Sequence, residues 1–594
     1  MRWFFRHPVP KYAIGIDFGT TTTRLCYVDN TQEVINIPQL SVTPVRSVVT
    51  PFPKQYGKGK YEWQVGENVI NTQLPHYSLF KLEMGSMKEM EIETDRSAGT
   101  KIAMRPEILA AEVMLNTYAR AVKGKGDLSE IRDVTITVPA EWNAIERQAT
   151  IMAGKIAGFS NITLIEEPVA AYLAIRASGQ SDIIEHAKNV LVFDYGGGTL
   201  DVTVIHRPDS GPPYVVGRSM SKGTIAGEAI DIELAKREVG DIYWKKLSLE
   251  DRGPYIKRAA REISSDKLSN QDRAVLPQKL AAEHYWNEIL DARDRSALAN
   301  IFKEMKEALN PDPSRKILSP VTWPDEIRLP SNTKVIAYEK GTLQLSREIL
   351  DEVLTPKIAE AMVHIDAAIK NSSILTKKRG KIQKITSDDI GVVLLVGGSS
   401  NLRMVQDEIC SYFHGLKMGD GIYLVDPEKI VAIGAALYKS YLDRRLKKFE
   451  LHVPMHTYLE YQTDKINTKR LALDDDKDGR LPLTPKPPKT CPIPSDIESI
   501  NWNVYQEYSY GGKIKRVVVE SIRFENPVGK LERLRLEYTI NQNGILEVWR
   551  PLLIIKQNKP VRTSDVRYYD WADKNPTLIS DEYGLETNVG SEKT

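Results

Sequence analysis

The sequence predicts an α/β chain folded as two similar lobes around a cleft, followed by a small β-domain. Three observations carry this prediction. Short β-branched runs alternate with amphipathic stretches from about Tyr12 to Tyr441, one strand–turn–strand motif occurs twice, and alternating β-prone segments follow a Pro- and Asp-rich interval.

Ala13–Asp17, Val134–Val138, Val190–Asp194, Val202–Ile205 and Val392–Val396 are short and apolar throughout, as strands covered on both faces must be. Helical periodicity fills the intervals, over Ile108–Val122, Ile145–Gly158, Val169–Ala177 and Leu345–Ile369. Residues 278–325 read as a mostly helical insertion, running from Leu280 to Ala308 and ending at Asn310-Pro311-Asp312-Pro313. The expected division is a first lobe over 12–188, a second over 189–445 and a connector over 446–489. The connector contains Asp474-Asp475-Asp476-Lys477-Asp478-Gly479 and Pro482–Pro488. A β-rich domain then spans 490–560, with Val517–Ile522, Leu534–Ile540 and Ile545–Ile555 separated by turns such as Asn541-Gln542-Asn543-Gly544. Residues 561–594 read as a tail.

At 594 residues the chain exceeds what a single core supports. A net charge of +2, from 81 Lys+Arg against 79 Asp+Glu, provides no field to gather nucleic acid or anionic membrane. Cys26, Cys410 and Cys491 are too few and too scattered for a disulfide framework or a zinc cluster. The N-terminal residues lack a signal peptide's apolar stretch, and no segment approaches the ~18–20 apolar residues that span a bilayer. The expected setting is cytoplasmic or nuclear.

Ile14-Gly15-Ile16-Asp17-Phe18-Gly19-Thr20-Thr21-Thr22 is echoed by Leu191-Val192-Phe193-Asp194-Tyr195-Gly196-Gly197-Gly198-Thr199. Each copy is an apolar strand ending in Asp, an aromatic residue, Gly and a small or hydroxyl run. A Gly/Thr turn after a strand lets backbone N–H groups face a phosphate. The Asp repels phosphate and makes chemical sense only through a hydrated Mg²⁺. Two such turns facing one another would hold a polyphosphate and its metal from opposite sides.

These two loops resemble the phosphate loops of the 70-kDa heat-shock chaperones. Val138-Pro139-Ala140-Glu141-Trp142-Asn143, with Arg147-Gln148-Ala149-Thr150 and Ala153-Gly154, is similar to that family's late first-lobe segment. Ile165-Glu166-Glu167-Pro168-Val169-Ala170-Ala171 and Ala432-Ile433-Gly434-Ala435-Ala436 look like its two interlobe connections, and Val396-Gly397-Gly398-Ser399-Ser400 like its adenosine motif. The resemblance implies an actin-like (ribonuclease-H-like, duplicated) ATPase fold binding ATP or ADP with Mg²⁺.

Carried over by position, Lys81 steers water or stabilises charge on the γ-phosphate. Asp17 and Asp194 hold hydrated Mg²⁺, Asp201 orders water, and Glu167 contacts the metal shell and the hinge. Thr20, Thr21 and Thr199 donate to phosphate oxygens within loops that include Gly19, Thr22, Gly196, Gly197 and Gly198. Gly227 and Glu228 bind the cofactor, Lys306 touches ribose or phosphate, and Gly397, Gly398 and Ser399 belong to the adenosine motif, while Pro139 and Arg147 form a relay toward a substrate domain. The ribose helix can be placed at Arg258-Ala259-Ala260-Arg261 or at Lys303…Lys306; the second agrees with the strand signal Glu326–Pro330.

Several features depart from the family pattern. Asn401 stands where many relatives carry a base-stacking arginine. Asp443-Arg444-Arg445-Leu446-Lys447-Lys448-Phe449 replaces the acidic, leucine-rich linker. Residues 561–594 are too short for the helical lid, and the last residues, Gly590–Thr594, are not the acidic tetrapeptide that docks co-chaperones. Tyr538–Val548 resembles the end of the family's β-sandwich substrate domain, implying a polypeptide client. Three readings follow: a slow chaperone-like ATPase whose lobe closure regulates polypeptide contact, a non-hydrolysing nucleotide-gated scaffold, and a small-molecule kinase of the same fold.

Overall fold

The computed structural model describes residues 9–562 apart from 32–39, 54–60, 71–76, 87, 96–99, 179–180, 210–212, 263–269, 291, 312–316, 319–326, 330–331, 337–342, 377–380, 445–455, 463–467, 473–488, 493–498, 511–512, 526–530, 541–545 and 556–559. The Asn541–Gly544 turn, most of the linker-like segment after Asp443, the Asp/Pro-rich run and nearly all of the tail lie outside the described residues.

In the first lobe, β1 (Tyr12–Asp17), β2 (Thr22–Asp29), β3 (Val42–Arg46), β4 (Asp133–Val138) and β5 (Asn161–Glu166) form a sheet ordered β3-β2-β1-β4-β5. β1 and β2 are an antiparallel hairpin, whereas β1–β4 and β4–β5 are parallel. Helix α1 (Pro106–Val122) opens with Pro at its first position, where the missing N–H costs nothing. It buries Ile108, Leu109, Val113 and Met114 in one core with Ile14, Ile16, Leu25 and Ile136. Helix α2 (Ala144–Ile156) begins at a capping box in which Asn143 Oδ1 accepts from Ile145 N and Glu146 Oε2 accepts from Asn143 N. Helix α3 (Glu167–Ala177) follows β5 directly.

The second lobe repeats the plan. β6 (Asn189–Tyr195), β7 (Thr199–His206), β8 (Tyr214–Lys222), β9 (Val392–Val396), β10 (Lys417–Met418) and β11 (Gly421–Leu424) are ordered β8-β7-β6-β9-β11-β10. β6 pairs antiparallel with β7 and parallel with β9, as β1 does with β2 and β4. The duplicated motif therefore occupies the same corner of both sheets. Its helices are α4 (Gly227–Lys246), α5 (Leu249–Glu262), α6 (Asn270–His284), α7 (Ala292–Leu309), α8 (Arg347–Lys370), α9 (Arg403–Tyr412) and α10 (Ile430–Asp443). A π-turn at Tyr285–Ile289 separates α6 from α7.

Helix α10 returns to the first lobe and packs on β1 and α3. Its residues Ile430–Leu437 share a core with Val169–Ile175 of α3 and with strands of both sheets, including Val28, Val192 and Leu394. Glycine makes this crossing possible. A Cβ on Gly434 would sit 1.9 Å from Ala170 O, and one on Gly15 would sit 2.1 Å from Ala436 N.

Beyond residue 455 the backbone forms two four-stranded sheets. The first joins β12 (His456–Gln462), β13 (Thr468–Ala472), β15 (Ser499–Tyr510) and β16 (Lys513–Glu525) in the order β13-β12-β15-β16. The second joins β14 (Lys489–Pro492), β17 (Leu531–Ile540), β18 (Leu546–Ile555) and β19 (Pro560–Arg562) in the order β14-β17-β18-β19. This corrects the connector expected over 446–489. β12 and β13 lie inside it, and β12 pairs with β15, so the β-region begins at His456. His456-Thr457-Tyr458-Leu459-Glu460-Tyr461 is itself β-prone, but the Asp and Pro runs downstream dominate the composition of that interval.

Gly434→Ala is expected to destabilise the two-lobed region by about 3 kcal/mol, because backbone and not a flexible side chain must move. Gly253→Ala, in the interior of α5 with nothing within 4 Å of the added Cβ, should be neutral or stabilising by up to ~1 kcal/mol. Parallel thermal melts read both.

Candidate functional site

The β1–β2 and β6–β7 turns meet across the lobes. A Cβ on Gly197 would fall 2.4 Å from Thr21 Cγ2, and one on Gly198 would fall 2.2 Å from Thr20 Cγ2, so glycine permits this approach. Hydrogen bonds hold the second turn: Gly196 N donates to Thr199 O, Gly227 N to Gly196 O and Glu228 N to Gly197 O. The turns border a cavity of about 570 Å³ that continues along α7 to the Gly398–Leu402 turn.

All but one of the residues expected to touch nucleotide or metal line this cavity. They are Asp17, Gly19, Thr20, Thr21, Thr22, Lys81, Glu167, Asp194, Gly196, Gly197, Gly198, Thr199, Gly227, Glu228, Lys306, Gly397, Gly398 and Ser399. Asp201 is the exception. It faces Asp194 across the β6–β7 pair, is fully buried, and accepts a hydrogen bond from Ala140 N at 3.0 Å. It shares a strand face with Asp194 and Thr199, but the β4–α2 turn covers it through Ala140 N, so it lies behind the residues that line the cavity.

At the closed end, Lys81 is 2% exposed and its Nζ donates to Glu167 Oε1 at 2.6 Å. A short 3₁₀ turn, Phe80–Glu83, presents it after Leu79, a non-glycine residue in the left-handed region at φ 61°. The ammonium also lies near the rings of Phe18 and Trp142, at 5.5 and 5.6 Å from their centroids. Thr137 Oγ1 donates to Asp17 Oδ1 and accepts from Phe18 N, fixing the end of β1.

Burial pushes the Asp17 and Glu167 carboxyls up, against the opposing pull of Lys81 on both and of Arg24 on Asp17. Asp194 is driven well above the carboxylate range by burial and by the charges of Glu167, Asp201 and Asp17. Asp201 is raised to about 8 by burial and Glu167. Among the described residues, no group of three or more His, Cys, Asp or Glu side chains could ligate an ion directly. The donor set instead suits a hard cation that keeps most of its waters, held through them by Asp17 and Asp194.

Pro139 and Arg147 lie behind the cavity. Pro139 O accepts from Trp142 N, and Arg147 donates from Nε to Trp142 O and from Nη2 to Glu166 Oε1 at 2.6 Å. Arg218 of β8 reaches Ala140 O and Glu166, and Lys222 pairs with Glu146. Beside them the buried Glu141 carboxyl is pushed up to about 9 by burial and the charge of Asp201.

At the other end, Lys306 of α7 forms a buried ion pair with Asp231 at 2.6 Å. Burial and Asp231 raise Glu228 to about 7. Of the two placements considered for the ribose helix, Lys303 and Lys306 reach the cavity. Arg258 is exposed on α5 and pairs with Glu262. Sequence reasoning missed Arg24, Arg46, Asn300 and Asn310. Arg46 arrives because β3 pairs with β2 in the register Thr22↔Arg46, and its Nη2 donates across the lobes to Asn300 Oδ1 at 2.7 Å. No local motif marks it.

The model of the family described as Hsp70 protein matches residues 64–237 and 279–468. The interval between the matched segments, 238–278, holds the end of α4, all of α5 and the start of α6. The extra residues were expected later, near 278–325. The chain is 27% identical over 372 residues to the heat shock cognate HSP70 protein of Trypanosoma brucei brucei, covering 62% of this chain and 44% of that protein. It thus spans less than half of that relative's length. No helix among the described residues is long and apolar enough to cross a membrane.

Glu141 yields a pH prediction. Its folded-state pKa of about 9 exceeds the ordinary 4.5, so between these values the folded chain holds a proton that the unfolded chain has released. Stability must therefore fall as pH rises toward 9. Glu141→Gln, a neutral stand-in, should flatten the decline of melting temperature between pH 7 and 9. An unchanged slope would show that Glu141 carries no such proton.

Proposed function

The chain belongs to the Hsp70 family, and on that premise we propose that it binds ATP with Mg²⁺ between its two actin-like lobes and hydrolyses it slowly. The observation that carries the proposal is the buried Lys81 ammonium, held by Glu167 at the closed end of the cavity where the two Gly/Thr loops meet. Phosphoryl transfer asks a protein mainly for placement and charge neutralisation. Backbone N–H groups and the Thr20, Thr21 and Thr199 hydroxyls would hold the β- and γ-phosphates. Lys81 would orient the attacking water and donate to a γ-phosphate oxygen. Water adds to the γ-phosphorus as its bond to the β–γ bridging oxygen breaks, giving ADP and inorganic phosphate. Asp17 and Asp194 would hold Mg²⁺ through its waters; when bound, the ion supplies charge neutralisation on the phosphate oxygens.

Lobe movement would then act on the β-region, which we propose meets a polypeptide. Strand β15 of that region lies against β8 of the second lobe. β8 also carries Arg218, bonded to Ala140 O, and Ala140 N in turn donates to Asp201 beside Asp194. A change at the phosphates would have this strand pair and these hydrogen bonds along which to reach β8. The second reading, a nucleotide-gated scaffold that does not hydrolyse, keeps the same cleft and loses only turnover.

Single-turnover hydrolysis of radiolabelled ATP with Mg²⁺ separates the readings. Wild type should form ADP and phosphate, while Lys81→Ala binds ATP and slows the chemical step at least about 100-fold. Asp194→Ala should stall likewise. Wild type that binds ATP and never cleaves it would establish the scaffold reading, and a phosphorylated acceptor would establish a kinase.

A further inference from the structure

The interval 238–278, which the family model does not match, builds a surface of its own. Helix α5 lies against α4 and α6 through one face. Tyr255 meets the ring of Trp244 edge-on, with centroids 6.4 Å apart, and lies 5.8 Å from the ring of His284. Arg252 donates from Nη2 to Trp244 O at 2.9 Å, and Ala259 is buried. These residues recur every three or four positions, so they fix which way the helix faces.

The neighbouring face is apolar and open. Leu249 is 84% exposed, more than any other large apolar side chain among the described residues, and Ile256 is 49% exposed. Between them, a Cβ on Gly253 would meet nothing within 4 Å, and the exposed Ala260 continues the line one turn on. Positions 249, 253, 256 and 260 share one stripe, with a notch at Gly253 between two branched side chains. A helix face turned to water is ordinarily polar.

Charge of one sign borders the stripe. Over 245–262 six cations accompany three acids, in a chain whose total is only +2. Lys245, Lys246 and Lys257 are exposed. An acidic partner gains from this field, whereas a second copy would set the same cations against each other. A helix that lies on a bilayer carries several bulky or aromatic residues on its apolar face. Here two branched side chains flank a glycine, which suits a side chain entering the notch.

We infer that α5 is a docking surface for an acidic segment of another protein, which packs apolar side chains on Leu249 and Ile256 and seats one at Gly253. No α5 residue lines the nucleotide cavity, so the surface stands independently of the function proposed there.

Fluorescence anisotropy of the full chain tests the inference, with a labelled helical peptide bearing leucine at i, i+3 and i+7 and glutamate on its flanks. A copy with lysine for glutamate serves as the control. The glutamate peptide should bind at least about tenfold tighter than the lysine peptide, and more weakly as salt rises. Leu249→Ser with Ile256→Ser, and separately Lys246→Glu with Lys257→Glu, should each weaken it at least about tenfold. All four side chains are exposed, so the melting temperature should not change. Failure of the glutamate peptide to bind, equal binding of the lysine peptide, or indifference to the paired substitutions would overturn the inference. So would wild-type dimerisation, or binding to phosphatidylserine vesicles, that the double serine variant abolishes, since a second copy or a membrane would then be the occupant.

Discussion

Four carboxylates, Asp17, Glu167, Asp194 and Asp201, are buried around the ammonium of Lys81, and the rest of the architecture serves that concentration of charge. Buried like charges are costly unless paired or neutralised. Glu167 is paired with Lys81, and Asp17 receives a hydroxyl from Thr137. Asp201 is anchored by Ala140 N. Asp194 feels the charges of three other acids, Glu167, Asp201 and Asp17, and is pushed well above the ordinary carboxylate range. A chain that maintains this arrangement has an electrostatic deficit that a cation relieves directly.

The duplicated sheets explain how the acids converge. Each lobe ends an apolar central strand in Asp and folds back through a Gly/Thr hairpin. The crossing of α3 and α10 then brings the hairpins into contact. Gly434 and Gly15 let that crossing close, and Gly197 and Gly198 let the hairpins touch. Crossing and site are thus set by the same requirement, that backbones approach where no side chain fits. A small rotation about the crossing would change the distance between Asp17 and Asp194 and the width of the cavity between them.

Much of this was legible in the sequence, because it is written locally. The repeat, the strands ending in Asp17 and Asp194, the Gly/Thr turns and the helix bearing Lys306 depend on short-range pattern. What was not legible depends on register and distance. Asp201 reads like another phosphate-loop acid, but the β4–α2 turn folds over it and Ala140 N donates to its carboxyl. Arg46 reaches the cleft only because of where β3 pairs, and Asn310 only because α7 ends beside the Gly398–Asn401 turn. The strands β12 and β13 were obscured by neighbouring Asp and Pro residues, whose composition outweighed a short β-prone run. Local pattern placed the chemistry, while tertiary register decided which side chains share it.

The central claim is that the buried carboxylates and the paired loops form one site completed by a cation together with a polyphosphate. Its most direct test is thermal unfolding of the full chain with ADP, in the presence of Mg²⁺ or of EDTA. A ligand at 100 times its Kd stabilises the folded state by about 2.7 kcal/mol. The account predicts a rise of that order with ADP and Mg²⁺ and little of it with ADP and EDTA. An equal rise in EDTA, or none with Mg²⁺, would contradict it.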